Sequence, residues 1–244
     1  MPDNARVYIS LVSVAGIAAM VYAFLDPPWP HDLLRLCTYF LLSLLAGALK
    51  LRLPGLTGTM SIGFVLVLLG ISEFTIPETM LMACAGVLVQ CVWRAKQRPT
   101  AVQILFSVSA VAVSLLMAYE CSQLFRAQFH SESVPIVLAV ATCVYFLSNS
   151  LLVSGVLSLV RRERLRAIWA QCYLFSLPYY LLGGVIAGLM AASGREVGWK
   201  APLLILPVMG LIFLLYRFYL ARLAMLPAAA VSTASLRTVK TRSA

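Results

Sequence analysis

Groups that could act as nucleophiles, acids, bases or metal ligands are few in this chain, and they stand apart from one another. A Ser-His dyad needs a histidine beside its nucleophile. His31 and His130 both fall in polar turns between apolar runs, so neither meets a serine within a run. The same placement denies them axial haem ligation. Either could join a carboxylate in an external cation site, but no pair of candidate ligands has the spacing of one helix face. Paired aspartates inside an apolar run, which a metal-dependent prenyl or phosphatidyl transferase would need, are absent from the sequence. So is a glycine-rich phosphate loop following a strand. No catalytic residue, cofactor or metal site is therefore expected. The six cysteines, Cys37, Cys84, Cys91, Cys121, Cys143 and Cys172, lie in or beside apolar runs with no Cys-x-x-Cys pair. They read as small buried hydrophobes.

Uncharged polar residues inside the apolar runs are more informative. Asn149 sits in Tyr145-Phe146-Leu147-Ser148-Asn149-Ser150, within the run Val134 to Val160. An amide facing hydrocarbon without a partner costs on the order of 2 kcal/mol or more, so Asn149 should face other helices, either as an interhelical clamp or as a ligand contact. Ser150 and Ser154 are four apart and share a face that admits a close neighbour. Thr57, Thr59 and Ser61 open another run, beside Gly55 and Gly58, and Gln90 ends the next. Pro178-Tyr179-Tyr180 predicts a kink beside two hydroxyls, and Gly184 with Gly188 predicts close packing. Together Thr57, Thr59, Tyr145, Asn149, Tyr179 and Tyr180 mark a candidate ligand cavity.

The elements that must position these residues follow from composition. Of 244 residues, 61% are hydrophobic and 11% charged, and mean hydropathy is +0.92. That is less than half the charge of a soluble domain, so part of the solvent must be lipid. The apolar stretches lack period-two alternation, which excludes a membrane β-barrel and leaves helices. Eight runs are predicted: Val7 to Leu25, Leu33 to Leu49, Thr59 to Ser72, Pro77 to Trp93, Ala101 to Leu124, Val134 to Val160, Ile168 to Ala192 and Pro202 to Leu220. The third is short enough to be a re-entrant hairpin with the fourth, and the first could be a signal peptide cut near Ala23. The fold expected is an all-α polytopic bundle over residues 1–222, with a flexible basic tail over 223–244.

Net charge is +10. With the N-terminus inside and the runs alternating, 15 basic residues lie inside and 4 outside, which accounts for all 19. Arg35, Arg126, Arg195 and Lys200 are the outer four. This bias predicts both ends in the cytoplasm. Seven of the nine acids, among them Glu73, Glu78 and Glu120, fall on the outer side. The basic residues thus read as topology signals and headgroup contacts rather than as a nucleic-acid surface.

Three stretches carry a family resemblance: Leu53-Pro54-Gly55-Leu56-Thr57-Gly58-Thr59-Met60-Ser61, then Trp93-Arg94-Ala95-Lys96-Gln97-Arg98-Pro99 leading to Gln103-Ile104-Leu105-Phe106-Ser107, then Tyr145 to Val153. Followed by a basic turn and Leu177-Pro178-Tyr179-Tyr180, this order resembles the membrane-associated sensor modules that precede GGDEF, HD-GYP or histidine-kinase output domains in bacteria. It covers about residues 33 to 222. The resemblance implies a bundle in the bacterial inner membrane that senses a small or lipophilic ligand, or the bilayer itself, and signals through its last helix. The sequence departs from the pattern after Arg222, where 22 residues hold neither a coiled-coil linker nor an output domain. The output is then expected either further along a longer protein or on a separate cytoplasmic signalling protein.

Besides the lipid bilayer and that signalling protein, a second copy of the chain is a candidate partner, and nucleic acid is not. Two other functions stay open: the substrate-binding component of a small-molecule transporter, and a membrane enzyme acting on lipid through Glu73, Glu78, Glu120 or the Asn149 region. An ion pump loses weight because no Lys, Arg or His lies mid-run.

Overall fold

The computed structural model describes residues 2–25, 32–52, 59–61, 63–93, 95, 98–129, 133–172, 177–197, 207, 210–211, 214–215 and 218. Apolar runs of this length coil into helices because, away from water, the helix satisfies every backbone amide within one segment. The helices are α1 (Asp3–Leu25), α2 (Leu33–Ala48), α3 (Gly63–Glu73), α4 (Ile76–Val92), α5 (Ala101–Phe129), α6 (Val134–Arg161), α7 (Leu165–Cys172) and α8 (Leu177–Val197). Three of them, α1, α5 and α6, are long and apolar enough to cross a membrane.

Two runs differ from expectation. The third is divided: Thr59–Ser61 forms strand β2, antiparallel to β1 (Lys50–Arg52), with Lys50 opposite Ser61 and Arg52 opposite Thr59. The all-helical expectation holds apart from this short ladder. Pro54, Gly55 and Gly58 in the intervening sequence disfavour a helix. That leaves 11 residues for α3, about 16 Å of helix against a hydrocarbon core about 30 Å thick. The seventh run, expected as one kinked helix from Ile168, is instead two. α7 is Leu165–Cys172 and α8 is Leu177–Val197, and residues 173–176 between them lie outside the described residues. Of the eighth run, residues 207, 210–211, 214–215 and 218 are described, all helical. The tail 223–244 lies outside the described residues.

Contacts fix the helix directions. Tyr8 meets Phe106 and the Tyr22 hydroxyl meets Glu120, so α1 and α5 run parallel. Ser43 Oγ donates to the Met82 carbonyl (2.7 Å) and Gly47 lies against the Gly86 carbonyl, so α2 and α4 run parallel. α3 is antiparallel to α2, because Arg35 and Tyr39 near the start of α2 meet Glu73 and Phe74 at the end of α3. α8 is antiparallel to α6, with Tyr180, Gly184 and Gly188 meeting Phe146, Thr142 and Leu138 in turn.

Short α3 is the axis of the bundle. Phe64 to Ile71 are all buried, on every side of the helix, against α2, α4, α6 and α8. The outward faces are apolar as well: Val7, Leu11, Val14, Ile17 and Val21 on α1 and Leu181, Leu182, Val185 and Leu189 on α8 are exposed. Apolar stripes of this length suit a hydrocarbon solvent and not water.

Candidate functional site

The three carboxylates expected on the outer side, Glu73, Glu78 and Glu120, each have a partner within the fold. Glu73 pairs with Arg35, whose guanidinium carbon also lies 5.0 Å from the Phe74 ring centre. Glu78 accepts from the Thr75 amide (2.9 Å) and hydroxyl (2.8 Å), closing the first turn of α4. Glu120 accepts from the Tyr22 hydroxyl at 3.3 Å, joining α1 to α5. Among the described residues no group of three His, Cys, Asp or Glu could hold a metal ion, and His31 and His130 lie outside those residues. Glu73 is 12% exposed and Arg35 38%, so removing Arg35 leaves the Glu73 charge short of both water and a counter-charge. Arg35→Gln is expected to lower stability by about 1–2 kcal/mol. Removing both charges, with Arg35→Leu and Glu73→Leu, is expected to recover most of that. Thermal unfolding of the two variants in detergent checks the order.

In the interior a few polar side chains have no partner among the described residues. The 28-residue α6 serves as a ruler. Its contacts with α8 place Tyr180 level with Phe146 and, by the same register, Leu177 level with Asn149. α6 is halfway through its length at this point. α3 begins there too: the Phe64 ring lies 4.5 Å from Tyr180, and Gly183 packs on Phe64 and Val65. α3, 11 residues long, is thus a half-height helix whose N-terminal end, the positive end of its dipole, lies beside the middle of α6.

Tyr145 and Asn149 occupy this stretch of α6. They are four residues apart and share one face. Tyr145 is 4% exposed and its ring centre is 6.4 Å from that of Tyr180. Asn149 is half-buried. No described residue shares a hydrogen bond with the Tyr145 hydroxyl or the Asn149 amide. The clamp expected of Asn149 is made by its neighbour: the Trp169 indole N–H donates to Ser150 Oγ at 3.0 Å, tying α7 to α6. Ser154 is fully buried, its hydroxyl also without a partner among the described residues.

Of the six candidate ligand residues, Tyr145 and Tyr180 come together, and Asn149 lies one turn from Tyr145 along α6. Tyr179 is a backbone position in the first turn of α8, and Thr59 one in β2. Thr57 lies outside the described residues. Sequence reading missed Phe64, Phe146 and Trp169, which wall the region with rings. It expected close packing at Gly184, which rests on α6, but not at Gly183, which rests on α3. An adjacent glycine pair within an apolar run was the available signal.

No family model matches the chain, and neither a curated protein nor a solved structure does.

Proposed function

We propose that the chain is an integral membrane sensor or regulatory module. It spans the bacterial inner membrane about eight times with both ends in the cytoplasm. It takes a small or lipophilic ligand between α3, α6 and α8 and signals to a cytoplasmic partner. The single observation that carries this reading is the pair of polar side chains, Tyr145 and Asn149, on one face midway along α6, which no described residue hydrogen-bonds. Buried polar groups are nearly always hydrogen-bonded, so a ligand's acceptor group fits the vacancy better than lipid does. The topology is supported by the helix directions given above and by the basic residues. Arg161, Arg162, Arg164 and Arg166 follow the end of α6, and Arg6 lies near the start of α1, all on the side that the positive-inside rule makes cytoplasmic.

The reading requires α8 to move against α6. A Cβ on Gly184 would lie 3.4 Å from the Thr142 Cβ, close to the separation of a disulfide. With the six native cysteines replaced, Thr142→Cys with Gly184→Cys is expected to cross-link on oxidation and to freeze the output of the partner. Reduction should restore it. An oxidised chain that signals as the reduced chain does would overturn the reading.

The short α3, 11 residues long and starting midway along α6, favours a second reading, the substrate-binding component of a transporter, since helices interrupted at mid-depth line the sites of many carriers. It predicts solute flux in vesicles once an energising protein is added.

A further inference from the structure

We propose that the groove between α1 and α5 holds one acyl chain of a phospholipid of the phosphatidylethanolamine class, with the primary ammonium of its headgroup hydrogen-bonded to Glu120. The proposal requires only that α1 and α5 cross the bilayer, so it stands apart from the sensor reading.

The two parallel helices meet at both ends of the groove. Gly16 lies against Ser109, and the Tyr22 hydroxyl donates to the Glu120 carboxylate. Between these contacts Ala15 and Ala18 on α1 present single methyl groups, and Val113 and Met117 on α5 form the opposite wall. The space is about 390 Å³ and its walls are apolar. Within a bilayer hydrocarbon must fill it, since an apolar hollow does not hold water. Over the two turns from Ala15 to Tyr22, about 10 Å of rise, a helix about 10 Å across would fill roughly twice that volume. The groove therefore admits a chain and not a helix. Charge then selects the headgroup. Val113, Met117 and Glu120 fall on one stripe of α5, so Glu120 stands at the end of the groove. Tyr22 lies three residues before the end of α1, which places Glu120 about 5 Å inside that end, where hydrocarbon gives way to headgroups. A carboxylate ionised there needs a cation. Among the described residues its partner is the Tyr22 hydroxyl alone, and both ion pairs involve other carboxylates, Asp3 and Glu73. An ammonium with N–H groups supplies the charge and the donors together. A trimethylammonium has no donor, and a glycerol headgroup has no positive charge.

Native mass spectrometry tests this on the full chain in detergent micelles, titrated in turn with dioleoyl phosphatidylethanolamine, phosphatidylcholine and phosphatidylglycerol. One phosphatidylethanolamine should stay bound, about tenfold more tightly than either of the others. Glu120→Gln keeps an acceptor for Tyr22 and should abolish the preference. Ala18→Phe, at an exposed position in the groove, should abolish the retention of all three lipids. Both variants should keep the unfolding temperature of the unaltered chain, and the headgroup comparison on that chain decides by itself should either unfold. Equal retention of the three lipids would overturn the proposal, as would a preference that survives Glu120→Gln or retention that survives Ala18→Phe. So would a dimer that Ala18→Phe dissolves, since a second copy would then occupy the groove. The Thr142–Gly184 cross-link judges the sensor reading and has no bearing on this result.

Discussion

Gly183→Leu is expected to destabilise the bundle by about 3 kcal/mol or more, the largest loss of any single substitution considered. A Cβ at Gly183 already overlaps the Phe64 ring and comes within 3.1 Å of Val65 Cγ2. Neither neighbour can retreat easily. Phe64 is buried with the Tyr180 ring 4.5 Å away, and Val65 belongs to a helix that is packed all round. α8 must therefore lift away from α3, which opens the junction holding the aromatic cluster. Gly188→Ala, five residues further along α8, is the control. Its Cβ would meet Leu138 Cδ1 at an ordinary 3.9 Å, so this change should be neutral or slightly stabilising through helix propensity. Unfolding both variants in mixed detergent micelles checks the contrast. Equal losses at the two glycines would mean that α8 does not rest on α3.

The second large effect is expected on signalling and not on stability. The double substitution Tyr145→Phe with Asn149→Leu removes two polar groups that no described residue satisfies. Both replacements nearly conserve volume, and replacing an unmatched buried polar group with an apolar one is neutral or stabilising, by up to about 1 kcal/mol. The protein should fold at least as well as before. Its partner's output should no longer respond to the stimulus, a loss approaching completeness. Such a split is the mark of groups retained for binding at some cost in stability. A double variant that is less stable and still responsive would show instead that the two side chains serve the packing.

These expectations vary in how far they could be read from the sequence. Membrane character was legible throughout, because composition and run length answer to the thickness and dryness of the bilayer, and α1, α5 and α6 came out close to the predicted runs. Asn149 could be singled out because an amide in an apolar run is expensive wherever it faces. Boundaries that depend on tertiary packing were not legible. The run from Thr59 looks like a weak helix by hydropathy, yet its first residues pair with Lys50–Arg52, a contact between segments that no local pattern encodes. Pro178 signalled a disturbance in the seventh run, but a kink and a fresh helix start share that signal. Trp169 looked like one more apolar residue near a helix end, and its hydrogen bond to Ser150 became visible only in three dimensions.

The most direct test of the sensor assignment is to cross-link the full chain mildly in its native membrane, purify it, and identify the attached proteins by mass spectrometry. The account predicts a cytoplasmic signalling protein, such as a kinase, cyclase or phosphodiesterase, in stoichiometric amount. A transport ATPase in that position, or no stoichiometric protein at all, would contradict it.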